Sequence, residues 1–293
     1  MPLTRPPFET IALVLQGGGA LGAYQAGVME GLATAGIEPD WVAGISIGAI
    51  NAALIAGNEP KDRIDRLRDF WTTVSRPAVW PDALAFMDAL VEPVDDWRRL
   101  VWNSWNAMRA LTEGQRGFFT PRPTADWLKA PAAATASFYD TAPLKATLER
   151  LVDFDRINAG ATRLTISAVN VETGNFEAFD NQHGRWRKRI RAEHVMASGA
   201  LPPGFPAVAI EDPGPIEASR ASGAPRPVHF YWDGGLVSNT PLSQVLDDNP
   251  RRDTLAFQVD LWSARGNVPV NVVDAQERVK DIQFSSRTRT ITT

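Results

Sequence analysis

Ile11-Ala-Leu-Val-Leu15 is an unbroken apolar run, the pattern of a strand covered on both faces of a parallel sheet. Gly17, Gly18 and Gly19 end it. From Gly22 to Ala35 apolar positions return at helical spacing, and Gly36 stands where a helix-ending glycine belongs. Trp41-Val-Ala43 reads as a second short strand and Ile47 to Ala56 as a second apolar helix. Strand, glycine loop, helix, strand, tight turn, helix: this alternation predicts an α/β fold with a mainly parallel sheet. Strand patterning resumes at Leu164 to Val169 and Asn175 to Phe179, a hairpin about Thr173-Gly174. A helix over Ile190 to Ala197 is closed by Gly199 and Pro202-Pro203, and Pro213 to Pro227 is a polar loop. His229 to Trp232 and Leu255 to Val259 read as strands, and Val272 to Ile282 as a last helix.

Between about residues 76 and 137 the pattern changes to recurring prolines with Trp-rich helical stretches. Trp97, Leu100, Val101, Trp105, Met108 and Leu111 fall on one helical face. The segment reads as a helical insertion in a single domain spanning 1–293, whose core occupies about 11–75 and 138–284. Its apolar stripe either packs on that core or forms a lid making transient contact with a membrane or lipid surface, for which Trp is well suited.

Composition narrows the function classes. A net charge of −4 supplies no basic field for nucleic acid. With no cysteine, disulfides, thiolate zinc sites and cysteine nucleophiles are excluded. The first ten residues carry no apolar stretch of the signal-peptide kind, and Val42 to Ala56 is too short to span a bilayer. These features predict a soluble, cytoplasmic chain, and with no visible metal-ligand cluster no cofactor is expected.

The candidate chemistry lies at the ends of the first two strands. Gly44-Ile-Ser46-Ile-Gly48 fits G-x-S-x-G between strand and helix. A nucleophile at the tip of so sharp a turn needs neighbours without side chains, and the helix behind it aims the positive end of its dipole at the serine. The alternative is a glycine-rich helix start with Ser46 as a simple cap. Gly17-Gly-Gly-Ala-Leu-Gly22 also satisfies the dinucleotide fingerprint G-x-G-x-x-G. That reading needs an acid at the far end of the second strand, whereas Glu38 and Asp40 precede it. Glycine N–H groups beside a helix start suit a developing oxyanion better.

Histidine is the usual base for a serine. His183 sits in a polar run, His194 within a packing helix, and His229 at the start of a strand. Asp233 instead leaves a strand end into Gly234-Gly235, although Asp-Gly pairs are also ordinary turns.

Gly17-Gly-Gly-Ala-Leu-Gly22, Gly44-Ile-Ser-Ile-Gly48 and Asp233-Gly-Gly235, in this order, resemble the patatin-like phospholipase family. Ala197-Ser-Gly-Ala-Leu-Pro-Pro-Gly-Phe-Pro206 is similar to the family's segment between elbow and aspartate, and the resemblance runs from about Ile11 to Phe257. It implies a three-layer α/β/α fold and a Ser–Asp dyad that hydrolyses acyl esters of lipids without histidine. Ser46 would be nucleophile and Asp233 base. The oxyanion hole would come from Gly17, Gly18 and Gly19, helped by the N–H of Ile47. Many relatives place Arg or Lys where this chain has Leu21, which removes a cation near the site. Bacterial members with this loop often continue beyond the core, and the ending after the last helix is abrupt, as in a shortened chain. An acyltransferase on the same dyad, or a non-catalytic lipid- or granule-binding protein, are the other readings. The former usually carries His where Ile45 stands.

Overall fold

In a computed structural model, residues 5–75, 112–124, 132–182, 188–211 and 227–286 are described. Most of the Trp-rich insertion, including Trp97 and Trp105, lies outside them, as do His183 and most of the 213–227 loop.

The apolar runs become strands and the periodic stretches helices. Strand β1 (Thr10–Leu15) is entirely buried and leads through a 3-10 turn (Gly19–Gly22) into helix α1 (Ala23–Thr34). Gly36, at φ 70°, takes the left-handed conformation expected of a glycine just beyond a helix end. Strand β2 (Trp41–Gly44) and helix α2 (Ile47–Ala56) follow, and every residue of α2 is buried. Helix α3 (Arg63–Ser75) covers α1 and α2. Two short paired strands, β3 (Thr120–Pro121) and β4 (Tyr139–Asp140), precede α4 (Ala142–Leu151) and α5 (Phe154–Ala159). The expected hairpin is β5 (Arg163–Asn170) with β6 (Phe176–Asp180), and Gly174 takes φ 70° in its turn. Helix α6 (Ala192–Ser198), strands β7 (Val208–Glu211) and β8 (Val228–Asp233), helix α7 (Leu242–Leu246), strand β9 (Thr254–Val259) and helix α8 (Val272–Phe284) complete the described elements.

The main sheet runs β7-β8-β5-β2-β1-β9, with β6 on the other side of β5. Strands β9, β1, β2 and β5 are parallel, as expected, whereas β6 and β8 run antiparallel to β5, and β7 pairs antiparallel with β8. Side chains alternate across the sheet. Leu13, Leu15 and Val42 face the large helical layer built around α2, while Ala12, Val14, Trp41 and Ala43 meet Leu242 and Val245 of α7 on the thinner side. Helix, sheet and helix thus form three layers. Helix α8 lies on the surface, with none of its residues buried. Among the described residues no helix is long and apolar enough to cross a membrane.

Two registers set up the site. Leu15 of β1 lies opposite Gly44 of β2, so the glycine loop and the serine turn leave the sheet at one level. Gly44 pairs with Ile166 of β5, and Asp233, arriving along antiparallel β8, pairs with Ala168. Strands β2 and β8 therefore meet head to head along one side of β5, their ends separated by the width of Ser167.

Candidate active site

Ser46 occupies the turn between β2 and α2 at φ 56°, ψ −125°, and is the sole described non-glycine residue with positive φ. Such a conformation costs of the order of 1–3 kcal/mol and persists only where its surroundings impose it. Here they do. A Cβ on Gly44 would overlap the Gly48 carbonyl oxygen, and one on Gly48 would overlap that of Leu15. The Ser46 N–H donates to Ser198 Oγ at 3.0 Å, and Ser198 Oγ–H donates to the Ser167 carbonyl at 2.6 Å. The elbow is thereby tied to β5 through α6.

The Ser46 hydroxyl donates to Asp233 Oδ2 at 2.7 Å. The Gly235 N–H holds Oδ1 at 2.7 Å, which turns the other oxygen toward the serine. The Asp233 N–H in turn donates to the Ala200 carbonyl at 3.0 Å. Burial pushes the Asp233 carboxyl up to about 6, against the pull of the hydrogen bonds from Ser46 and Gly235. A carboxylate in that range is still mostly ionised at neutral pH and is a stronger base than a solvated one.

The described histidines stand elsewhere. His194 Nδ1 accepts the Arg191 N–H at 3.1 Å, its ring packs edge-on against Phe179, and burial pushes it down to about 4, so it is a neutral packing residue. His229 lies 3.5 Å from Glu172. The acids that precede β2 have structural duties too: Asp40 accepts the Ile11 N–H and Glu38 pairs with Arg63.

The glycine loop sits beside the serine, and a Cβ on Gly17 would come within 3.1 Å of that of Ser46. Within the described residues the N–H groups of Gly18, Gly19 and Ile47 have no acceptor, and Ile47 is the first residue of α2. They have the character of oxyanion donors. Gly17 differs from the expectation. Its N–H donates to the Asn239 carbonyl at 3.1 Å and is not available to a ligand. Gly22 serves packing, since a Cβ there would press on Ile47 at 2.5 Å; Gly234 likewise lies against the Ser167 carbonyl.

Ser46 and Asp233 open into a cavity of about 350 Å³ whose apolar wall includes Ile47, Ile50, Trp71, Phe119, Leu201 and Phe205. Its size and lining are those of a small-molecule site. Among the described lining residues Asp233 is the sole charged one. A second, smaller cleft, which also reaches Ser46 and Asp233, joins Gly17, Gly18 and Gly19 to Asn239, Trp262 and Phe284.

The patatin-like phospholipase family model matches residues 13–246. The chain belongs to the patatin-like phospholipase family. Similar patatin-like proteins include human patatin-like phospholipase domain-containing protein 6, 39% identical over 88 residues, which are 30% of this chain and 6% of that protein. Lysophospholipase nte1 of Aspergillus terreus is 53% identical over 48 residues, 16% of this chain and 3% of its own length. The chain thus spans a small part of the curated relatives it matches. Among solved structures, VipD of Legionella pneumophila aligns over 85% of this chain and 50% of its own, at 18% identity and TM-score 0.40. ExoU, in complex with SpcU, from Pseudomonas aeruginosa aligns over 99% and 53% at 18% identity and TM-score 0.34.

Several residues that shape this patatin-like site were not singled out from the sequence. Ser198 lies within the family-like 197–206 segment, where its sequence suggests no role. Gln16, Asn239, Trp262 and Phe284 carry no motif, and only their long-range contacts reveal them.

Proposed function

We propose that this protein is a serine acyl hydrolase that cleaves carboxylic esters of lipids through Ser46 and Asp233. The observation that carries it is the 2.7 Å hydrogen bond from Ser46 Oγ to Asp233 Oδ2 at the mouth of an apolar cavity.

In the first step Asp233 takes the Ser46 proton as Oγ bonds to the ester carbonyl carbon. The carbonyl electrons move onto oxygen, which lies among the N–H groups of Gly18, Gly19 and Ile47 and before the positive end of α2. Collapse breaks the ester bond, and the departing alkoxide takes the proton from Asp233, leaving an acyl-enzyme. Water gives a proton to the same carboxylate, attacks the acyl carbon and releases the fatty acid, and the proton returns to Ser46. The chemistry needs no histidine and no metal. The acyl chain lies in the apolar cavity, whose described wall presents no cation to a phosphate. Working as a cytoplasmic protein at a lipid surface, with contact through the Trp-rich segment, belongs to the same reading.

A fluorophosphonate probe followed by product analysis on a lipid panel tests the proposal. The parent protein should be labelled and should release fatty acid, and Ser46→Ala should lose both. Ester hydrolysis that survives Ser46→Ala overturns the mechanism. Labelling with no turnover on any lipid ester would favour an acyltransferase.

A further inference from the structure

The Gly17 carbonyl accepts two side-chain hydrogen bonds, from Asn239 Nδ2 at 2.9 Å and from Trp262 Nε1 at 3.0 Å. The Asn239 main-chain carbonyl also takes the Gly17 N–H, so both peptides flanking Gly17 are held. These holders are themselves fixed. Asn239 Nδ2 and Gln16 Nε2 both donate to the Phe284 carbonyl, at 2.8 and 3.0 Å, and the Gln16 side-chain oxygen accepts the N–H groups of Leu261 and Trp262. The Trp262 and Phe284 rings pack with centroids 5.6 Å apart.

Three consecutive glycines have little intrinsic preference for one orientation of the peptides between them. In a planar trans peptide the carbonyl and the following N–H point to opposite sides, so fixing one aims the other. We propose that Asn239 and Trp262 are positioning residues that turn the Gly17–Gly18 peptide so that the Gly18 N–H faces the developing oxyanion. The assignment rests on the reading of Ser46 as nucleophile. Asn239 follows the Asp-Gly-Gly turn, whereas Trp262 and Phe284 lie beyond residue 246, where the family match ends. Half of the clamp is thus supplied by the β9–α8 region.

The test uses the full chain with a p-nitrophenyl ester, comparing Trp262→Phe, Asn239→Ala and Ser46→Ala. Trp262→Phe keeps the ring beside Phe284 and deletes one donor, while Asn239→Ala keeps the main-chain bond to Gly17. Removing an oxyanion donor outright typically costs about 100- to 1,000-fold in kcat. Loosening one should therefore lower kcat about tenfold in Trp262→Phe and somewhat more in Asn239→Ala, with KM within about twofold of the parent. The Ki of a trifluoromethyl ketone, which mimics the tetrahedral state, should rise by the same factor as kcat/KM falls. Unchanged kcat in both variants, beside an inactive Ser46→Ala, overturns the positioning role. So does a loss that appears in KM or follows a fall in melting temperature while ketone affinity stays constant. Should Asn239→Ala fail to fold, Trp262→Phe alone decides. Activity retained in Ser46→Ala would defeat the underlying mechanism instead, and is read separately.

Discussion

In the proposed mechanism, the buried carboxyl of Asp233 couples chemistry to stability. Its value of about 6 comes first from burial, so kcat/KM should fall about tenfold per pH unit below that point, which a pH–rate profile on a neutral ester will show. The sign for stability follows from linkage. Between the ordinary value of 3.8 and about 6 the folded protein keeps a proton that the unfolded chain has released. Stability therefore falls as pH rises through that window and stays lower above it. A shift of about two pK units corresponds to about 3 kcal/mol. Asp233→Asn removes the charge, and at pH 8 it should melt above the parent although inactive. The advantage should vanish near pH 4, and a melting series across pH measures both ends. Equal melting at pH 8 would mean that the hydrogen bonds from Ser46 and Gly235 already offset the cost of burial.

At the scale of elements, the elbow is held by packing on one side and by Ser198 on the other. Ser198→Ala leaves the Ser167 carbonyl and the Ser46 N–H without their partner in a buried place. It should lower unfolding free energy by about 1–3 kcal/mol and reduce kcat, checked by urea unfolding beside esterase kinetics. Gly48→Ala should cost about 3 kcal/mol, the upper part of the range for overpacking, because the carbonyl it meets is the fixed end of β1. Much of this element was legible beforehand. The apolar run of α2, the two glycines and the serine are local signals, and both the helix bounds and the strand before it agree with the pattern. Ser198 was not legible, because a serine near a helix end has many ordinary uses and its partner is 152 residues away. The same holds for Gln16, whose amide is read only once Trp262 and Phe284 are folded against it. Gly17 went the other way: the glycine run showed three donors, and only the contact with Asn239 removes one of them.

Across the whole molecule, the cavity is closed by segments far apart in the chain. Phe118 and Phe119, from the described end of the insertion, meet Tyr139 and Phe205 in an aromatic cluster on the cavity wall. Phe119→Ala should enlarge the cavity, shift preference toward longer or bulkier acyl chains and cost about 3 kcal/mol. Ester panels of graded chain length, run beside thermal unfolding, test both effects. In the sequence the insertion reads as a unit, and nothing in its pattern assigns one of its ends to the cavity wall. Nor could it show that the aspartate arrives on an antiparallel strand, since a short apolar run has no direction until it pairs.

The head-to-head meeting of β2 and β8 has a further consequence for the life of the chain. Serine and carboxylate are 187 residues apart and touch only when the two strands have docked on β5 from opposite ends. During synthesis, a ribosome-bound chain that has emerged as far as the elbow carries the proposed nucleophile without its proposed base. Proteolytic pieces that part residue 46 from residue 233 are in the same condition. Under the proposed mechanism, ester hydrolysis is therefore withheld from unfinished or cleaved copies and begins only once the sheet has closed.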